Sequence, residues 1–278
     1  MASPSRLVPG ERPELRADCS RCAGLCCVAP PFAASADFAI DKPAGVPCPN
    51  LRRDFGCGIH AELRERGFPG CTVFDCFGAG QRITQETFGG RSWREEPEIA
   101  AAQFAVLPVV RQLHEALWYL TEAETLPAAG PLRVELGAAR DGIERLAAGS
   151  AEELAGLDVG AHRREVGELL GRVDELVRGH RPGADRRNAD LMGKDLRRRD
   201  LRNADLRGAY LIGADLRGVV LGSANLLGAD LRGADLRGAD LSRCLFLTQP
   251  QVTAARGDMS TRLPVAVSAP PHWAAAPR

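Results

Sequence analysis

Leucine recurs at every fifth position through the last third of the chain, in a run that includes "GADLRGADLRGADLS". The residue two positions before each leucine is mostly small, and aspartate and arginine often flank the leucine. A period of five fits neither an α-helix, at about 3.6 residues, nor a strand, at about two. It predicts a solenoid, which returns the same apolar side chain to a stacked interior. The leucines in this register, which Phe246 continues, are Leu191, Leu196, Leu201, Leu206, Leu211, Leu216, Leu221, Leu226, Leu231, Leu236 and Leu241.

The small residues of the repeat predict a second interior row. Its alanines are Ala189, Ala204, Ala209, Ala214, Ala224, Ala229, Ala234 and Ala239. Lys194, Arg199 and Val219 take the same place in three repeats. Because Lys194 and Arg199 fall in the first coil, we expect an imperfect terminal rung to leave them partly exposed. Cys244 also occupies the small-residue position, so we expect it to be buried in the solenoid.

Apolar residues between positions 93 and 182 recur at steps of three and four, which predicts amphipathic helices. One stripe comprises Leu132, Leu136, Ala139, Ile143 and Leu146, and another comprises Val166, Leu169, Leu170, Val173, Leu176 and Val177. The stretch "GSAEELAGLDVGAH" predicts a break between them. In the long apolar-rich stretch before them, we expect Pro108 to kink or divide the helix. The pattern favours an antiparallel hairpin or small bundle.

The composition changes along the 278 residues and predicts five segments. Residues 1–17 are a Pro- and charge-rich tail, and residues 18–92 hold eight of the nine cysteines. The latter segment has the composition of a loop-rich domain that is fixed by metal or cross-links rather than by a core. Residues 93–182 are helical, residues 183–256 form the solenoid with a terminal capping helix, and residues 257–278 form a tail. Within that tail, "SAPPHWAAAPR" is expected to be mostly extended. The predicted fold class is therefore multi-domain α+β.

The overall charge is balanced, with 36 Lys plus Arg against 36 Asp plus Glu. Net charge therefore provides no argument for binding nucleic acid or an anionic membrane. The opening "MASPSRLVPGERPELRAD" lacks the apolar run of a signal peptide, and no stretch approaches the ~20 apolar residues of a membrane-spanning helix. We expect a soluble, cytoplasmic protein without a membrane partner.

Eight of the nine cysteines lie between Cys19 and Cys76, and "DCSRCAGLCC" contains four of them. Thiols stay reduced in the cytoplasm, so such a cluster favours metal binding over disulfides. Thiolates favour Zn²⁺ or iron–sulfur centres, which commonly take four ligands. Disulfides in an exported domain and inert buried cysteines are the open alternatives. The candidate ligands are Cys19, Cys22, Cys26, Cys27, Cys48, Cys57, Cys71 and Cys76, and His60 is a further candidate.

The spacing C-x2-C-x3-C-C, followed by "CPNL" and "CGIHAELRERGFPGCTVFDC", resembles the zinc- or iron-chelating cysteine-cluster domain family over residues 19–76. The resemblance implies ligands at Cys19, Cys22, Cys26, Cys27, Cys48, Cys57 and Cys71, with Cys76 as an additional local ligand. His60 stands where members usually have Tyr, and "FPGC" replaces the usual Arg-Pro before the cysteine. The resemblance implies zinc, or alternatively iron or an iron–sulfur cluster, and no defined reaction.

The repeat A-D-L-R-G resembles the pentapeptide-repeat family over residues 184–256. That resemblance implies a right-handed, four-sided β-helix with four pentapeptides per coil. Twelve repeats from Ala189 to Thr248 would make about three coils, with leucine and alanine stacked inside. A short helix in "LTQPQVTAARGD" would cover the last coil.

Three functions are compatible with these features. The favoured one is a non-enzymatic, metal-binding adaptor that presents a rigid surface to an unidentified protein partner. The second is a redox-active or catalytic metalloprotein, but no catalytic residue set accompanies the cysteines. The third is a mimic of duplex DNA that binds a topoisomerase. Residues 184–248 carry nine Asp, eleven Arg and one Lys, so their net charge of +3 argues against a DNA mimic.

Overall fold

The structure is a computed structural model that describes residues 13–179 and 182–274. Its helices are α1 Leu25–Val28, α2 Pro69–Thr72, α3 Ala79–Arg82, α4 Ala100–Thr125, α5 Arg133–Ala147, α6 Ala151–Ala155, α7 Val159–Arg178 and α8 Gln249–Ala254. Short 3-10 helices are Pro13–Leu15, Cys19–Arg21, His60–Glu62, Pro97–Ile99, Pro127–Leu132 and Pro271–Trp273, and a π-helical turn, Ile83–Thr87, continues α3. Parts of both predicted tails, residues 1–12 and 275–278, lie outside the described residues, as do residues 180–181. Among the helices described, none is long and apolar enough to cross a membrane.

The chain divides into two compact units. Unit one comprises Met1–Thr125 and Gly130–Leu170, and unit two comprises Leu126–Ala129 and Gly171–Arg278. Unit one therefore holds both the cysteine-bearing segment and most of the helical segment. That the solenoid folds independently of the cysteine-bearing segment stays a prediction.

Helix α4 is the central element of unit one and contacts α1, α3, α5 and α6. Its residues Val106, Val110 and Leu120 are completely buried. Pro108 lies inside this 26-residue helix and does not divide it, while a kink at Pro108 stays a prediction. Proline cannot donate a backbone hydrogen bond. We attribute the helix's continuity to the apolar surface that it buries on both sides of the proline.

The cysteine-bearing segment has an apolar core of its own, which differs from the core-poor domain that its composition predicted. Leu25, Val28, Phe77 and Ile83 are almost fully buried. The ring of Phe77 packs against that of Trp118 on α4, with centroids 6.1 Å apart. These loops are therefore held by α4 as well as by any bond that their cysteines make.

The two predicted amphipathic helices are present as α5 and α7. Their buried stripe includes Leu136, Ile143, Leu170 and Val173, whereas Leu176 is more exposed than the pattern predicted. The predicted break between them contains α6. A capping box of Ser150 and Glu153 begins this short helix and satisfies backbone N–H groups that would otherwise lack partners.

Unit two contains the solenoid, in which each repeat pairs with the repeat four pentapeptides further along the chain. The parallel bridges are Asp185↔Asp205, Asp190↔Tyr210, Asp195↔Asp215, Asp205↔Asn225, Tyr210↔Asp230, Asp215↔Asp235, Val220↔Asp240 and Asn225↔Leu245. Typical contacts are the hydrogen bonds from Leu216 N to Asp235 O and from Asp235 N to Ala214 O, both 2.9 Å. Each coil therefore contains four pentapeptides.

The repeat register places leucine and alanine inside the coils, as predicted. Every leucine of the register from Leu196 onward is buried, as is Phe246, while Leu191 in the first coil is half-buried. Lys194 and Arg199 are exposed, and Cys244 is buried. Each rung is a single-residue bridge rather than an extended strand.

Aspartate and the last residue of the repeat shape the turns. Asp195 Oδ1 accepts the backbone N–H of Arg197 at 3.1 Å, and the same bond recurs in most repeats. The last position needs a left-handed backbone, with φ of 64° at Gly213 and 57° at Asn203. Glycine adopts this conformation without a steric penalty, and asparagine tolerates it. The repeat therefore encodes its own turns.

Aspartate and arginine also form an ordered row of ion pairs on the surface. Asp195, Arg197, Asp215 and Arg217 alternate along one side, with N–O distances of 2.7, 3.3 and 2.6 Å. Arg217 then reaches Asp235 of the next coil at 3.7 Å. Opposite charges therefore alternate both within and between coils.

The end of the solenoid is closed by α8 and the residues after it. The side-chain amide of Gln251 donates to the carbonyls of Leu226 and Ala229, at 2.8 and 2.9 Å. Trp273 is buried and donates its indole N–H to Ala255 O at 3.1 Å. The 3-10 helix Pro271–Trp273 lies in the stretch that was predicted to be mostly extended, so part of that tail is folded.

We predict that Leu216→Ala lowers the free energy of unfolding of unit two by about 2–5 kcal/mol, because Leu216 is buried in the middle of the stack. Arg217→Ala, the matched exposed neighbour, should lower it by less than about 1 kcal/mol. Urea unfolding of both variants, followed by the circular dichroism of the full chain, measures the difference. Equal losses would show that the register is wrong.

The ion pairs predict acid sensitivity. Hydrogen bonds from the Arg187 side chain and backbone N–H lower the pKa of Asp185 to about 2, from an ordinary 3.8. A lowered folded-state pKa stabilises the fold above pH 3.8, and this contribution is lost as pH falls toward 2. Arg187→Gln should raise the pKa of Asp185 toward the ordinary value, whereas Arg202→Gln should leave it unchanged. A carboxyl-carbon NMR titration tests this, and an ordinary pKa for Asp185 in the unaltered protein would contradict it.

Candidate metal centre

The first four cysteines lie in a short stretch of two helical elements that are joined by a turn at Gly24. Cys19 begins a 3-10 helix that Asp18 caps, and α1 then carries Cys26 and Cys27. Gly24 joins the two elements with a φ of 67°. A Cβ at Gly24 would lie 2.9 Å from the side chain of Leu51, so this tight turn requires glycine.

Side chains of α3 and the turn that follows it hold the loop of Cys19 and Cys22 in place. Gln81 accepts the backbone N–H of Asp18 at 2.7 Å and donates to Arg16 O at 2.8 Å. Thr84 accepts the N–H of Ala23 at 3.0 Å. Because these contacts bind the loop on both sides of its cysteines, the loop lies directly against α3.

Gly80 in α3 leaves room for two sulfur atoms. A Cβ built at Gly80 would lie 2.6 Å from Cys22 Sγ and 4.0 Å from Cys76 Sγ. Cys22 and Cys76 are far apart in sequence, and they meet across this glycine. Burial raises the pKa of Cys22 and of Cys76, while hydrogen bonding by the backbone N–H groups of Gly24 and Leu25, and of Gly78 and Gly80, acts to lower it. Such bonds stabilise thiolates.

A second group of cysteines gathers around Cys27. The N–H of Cys48 donates to the carbonyl of Cys27 at 2.9 Å. Leu51 donates to Cys48 O and pairs with Cys57 in an antiparallel bridge, which returns Cys57 toward Cys48. Cys71 lies on α2, and the thiolate charges of Cys27, Cys48 and Cys57 act on it.

The adjacent residues Cys26 and Cys27 connect the two groups, with their sulfur atoms 3.9 Å apart. A hydrogen bond from the Cys26 thiol lowers the pKa of Cys27 to about 7, and the charge of Lys42 lowers it further. The same hydrogen bond and burial raise the pKa of Cys26 well above its usual value. The free chain therefore favours a single thiolate at this position.

Crowding opposes ionisation of the other thiols. Burial raises the pKa of Cys22 and of Cys71 to about 11, and neighbouring thiolates add to the effect. Burial is also the largest cause of the raised pKa values of Cys19, Cys57 and Cys76. So many thiols can become thiolates together only if a cation balances their charge.

Lys42 is a functional candidate that the sequence analysis missed. Its side chain is buried, and its ammonium group donates to the carbonyls of Val28, Pro43 and Val46 at 3.0, 3.2 and 3.0 Å. Burial lowers the pKa of Lys42, while the charges of Cys48 and Cys27 oppose that shift. The sequence contains one indication that Lys42 is a candidate: the chain has only two lysines, and this one lies among the cysteines.

The donor chemistry at this centre fits a thiophilic metal ion. The eight cysteines from Cys19 to Cys76 are free thiols. In the described residues, no three His, Cys, Asp or Glu side chains already surround a common point as ligands. Binding would therefore require rotation of the thiols. His60 is exposed.

Comparison with known proteins supports the assignment of the repeat. The sequence profile described as Pentapeptide repeats matches residues 183–218 and 204–246, with eight copies. A solved pentapeptide-repeat protein, Rfr23 from the cyanobacterium Cyanothece 51142, is 34% identical over 28% of this chain and 50% of its own, with a TM-score of 0.21. HetL from Nostoc sp. Strain PCC 7120 is 32% identical over 30% of this chain and 35% of its own, with a TM-score of 0.20. The chain thus spans half or less of the length of either structure.

A similarity across nearly the full length comes from Bacillus subtilis (strain 168). The protein named "Uncharacterized protein YybG" is 56% identical over 265 residues, which cover 94% of this chain and 95% of that protein. The alignment is long enough to include both the repeat and the cysteine-bearing segment. The chain therefore belongs to the same protein family as YybG, and its residues 183–246 are pentapeptide repeats.

Proposed function

We propose that this protein is a cytoplasmic, metal-binding pentapeptide-repeat protein that acts as an interaction scaffold. Its cysteines hold zinc, and iron is the alternative metal. The ion would cross-link loops of unit one, and the right-handed, four-sided solenoid would present a rigid surface to a protein partner. The observation that carries the proposal is that Cys22 and Cys76, distant in sequence, meet beside Gly80 in a segment of eight free thiols.

Electrostatics supports metal binding at the thiols. Burial and mutual repulsion raise the pKa values of six of the eight cysteines. A divalent cation lowers the pKa of these thiols, because it is attracted to several thiolates at once and displaces their protons. Structural zinc sites of four cysteines are closed, with no position left for a substrate. This chemistry suits a structural role better than catalysis.

The surface of the solenoid supports a protein partner rather than mimicry of DNA. Its Asp and Arg side chains are paired, as in Asp215–Arg217 at 2.6 Å, so no uniformly negative face results. Met192, Tyr210 and Val220 stand about half-exposed among these ion pairs. Exposed apolar side chains on a rigid surface are typical of protein-binding sites.

We predict that the full chain, expressed and purified without oxygen or chelator, contains at least one zinc or iron ion per molecule. Cys22→Ser should lower the metal content because Cys22 shares the space beside Gly80 with Cys76. Elemental analysis measures the metal, and visible absorption distinguishes an iron–sulfur cluster from colourless zinc.

The matched control is Cys244→Ala, which removes a cysteine from the solenoid at a position where most repeats have alanine. It should leave the metal content unchanged. Substoichiometric metal in the unaltered protein would refute the proposed function.

We also predict that the two units respond differently to metal removal. A strong chelator should expose the cysteine-bearing loops to protease, and part of the helical signal should fall because α4 packs on those loops. The repeat should keep its protection, since its interior of stacked leucines needs no metal. Limited proteolysis and circular dichroism before and after chelation test this. Simultaneous loss of protection in the repeat would show a single cooperative domain.

A further inference from the structure

We propose that the first coil of the solenoid, residues 184–203, is the docking edge for an acidic, extended segment of a partner protein. The backbone of that segment would pair with the open edge of the coil, and its carboxylates would pair with cations that the coil leaves free. This inference rests on the proposed function, that the solenoid presents a surface to a protein partner, and it adds the surface and the chemistry of the bound segment.

The positive charge of the repeat is concentrated in its first coil. Residues 184–203 carry seven Arg or Lys side chains against four Asp, whereas residues 204–248 carry five Arg and five Asp. The net charge of +3 on the repeat therefore belongs to the first coil alone. Such a local excess attracts a partner of opposite charge.

Four of these seven cations are exposed and form no ion pair within the described part of the chain. They are Arg186, Lys194, Arg198 and Arg199. The other three each bind the aspartate two residues earlier, at 2.6, 2.7 and 2.7 Å; they are Arg187, Arg197 and Arg202. The first coil therefore has both a paired row of charges and a set of cations that is available to a partner.

The four free cations occupy positions where the repeat rule predicts other residues. Arg186 takes the place of the central leucine, and Lys194 and Arg199 take the place of the small residue. Arg198 occupies the turn position but lacks the positive φ that Gly193 adopts there. Residues that break a local rule at a cost in regularity are typical of functional sites.

The backbone of the first coil is unpaired along the edge that faces away from the second coil. In the second coil, Asp215 donates its N–H to Lys194 O and accepts from Leu196 N, both at 2.9 Å. Among the described residues, the N–H and carbonyl groups of Asp190 and Asp195 have no such partner. An edge with free donors and acceptors is a template for an added strand.

The opposite end of the solenoid demonstrates this kind of pairing within the same molecule. After α8, Arg256 and Arg262 form parallel bridges with Asp235 and Asp240. Arg262 donates its backbone N–H to Ala239 O at 2.9 Å, and its guanidinium group binds Asp240 at 3.1 Å. The segment added there is basic where the coil presents aspartate. The free cations of the first coil favour an acidic segment for the same reason.

The open edge fits a polypeptide better than a nucleic acid. Phosphate groups accept hydrogen bonds, but they donate none to the unpaired carbonyls of Asp190 and Asp195. Each residue of an extended peptide offers both a backbone donor and a backbone acceptor. In strand addition, main-chain hydrogen bonds provide affinity and side chains provide specificity. Glutamate or aspartate side chains would supply the specificity for this edge.

The test is the fluorescence anisotropy of a labelled short peptide of alternating Glu and Val, titrated with the full chain purified without chelator. We expect binding that weakens as salt is added. A peptide with Gln in place of Glu should bind at least about tenfold more weakly, and so should a peptide that is N-methylated along one edge. The first change removes the charge, and the second removes the backbone donors.

Variants that restore the repeat rule separate binding from folding. Arg198→Gly/Arg199→Ala should bind the acidic peptide at least about tenfold more weakly while the solenoid keeps its circular dichroism. Lys194→Ala, at another small-residue position, should weaken binding in the same direction and provides a second route. The matched control is Arg243→Gly, because Arg243 has the same repeat position as Arg198, is exposed and has no ion pair among the described residues, but lies in the last coil. It should leave binding unchanged.

The outcomes distinguish this inference from the proposed function. Peptide binding that persists unchanged in the first-coil variants overturns the assignment of the edge, while the scaffold role stands. Absence of peptide binding, or tighter binding of a single-stranded oligonucleotide than of the peptide, overturns the acidic segment as the partner. If the peptide does not bind and Arg198→Gly/Arg199→Ala self-associates in sedimentation, the cations only prevent end-to-end pairing of solenoids, and the inference is wrong. Metal content, measured in the same samples, tests the metal-binding role separately.

Discussion

The hydrogen bonds that Gln81 and Thr84 make to the loop before α1 position Cys22 next to Cys76. They connect residues 61 to 65 positions apart and bury polar groups of the loop against α3. Without them, the loop would lose the contacts that hold Cys22 beside Cys76. Breaking such buried bonds leaves unsatisfied donors and acceptors, each at a cost of about 1–3 kcal/mol. The positions of the cysteines in unit one therefore depend on uncharged side chains outside the cysteine pattern.

The apolar packing of α4 supports the same arrangement from the other side. Its buried His114 donates from Nδ1 to the carbonyl of Phe77 at 2.7 Å, which fixes the residue that follows Cys76. Phe77 has a φ of 48°, an unusual conformation for a residue other than glycine. The contacts of α4 thus fix the backbone beside Cys76.

The sequence predicted the two parts of the protein unequally. The solenoid register followed from a local rule, because each pentapeptide carries its interior leucine, its turn residue and its ion pair. The amphipathic helices were also correct as elements, although α6 was missed because Ser150 and Glu153 form a cap within a short polar stretch. The contacts of unit one join distant residues, so neither the packing of α4 nor the role of Lys42 could be read from spacing. For the same reason, the spacing of the cysteines suggested a ligand list but no grouping.

The cap on the last coil limits how this protein can change length over evolution. Gln251 binds the carbonyls of one particular side of the coil, and the residues up to Trp273 continue from that side. Duplication or loss of one whole coil would shift the cap along the stack and preserve these contacts. Gain or loss of a single pentapeptide would rotate the cap by a quarter turn, onto a side with different acceptors. Relatives with longer or shorter solenoids are therefore expected to differ by whole coils.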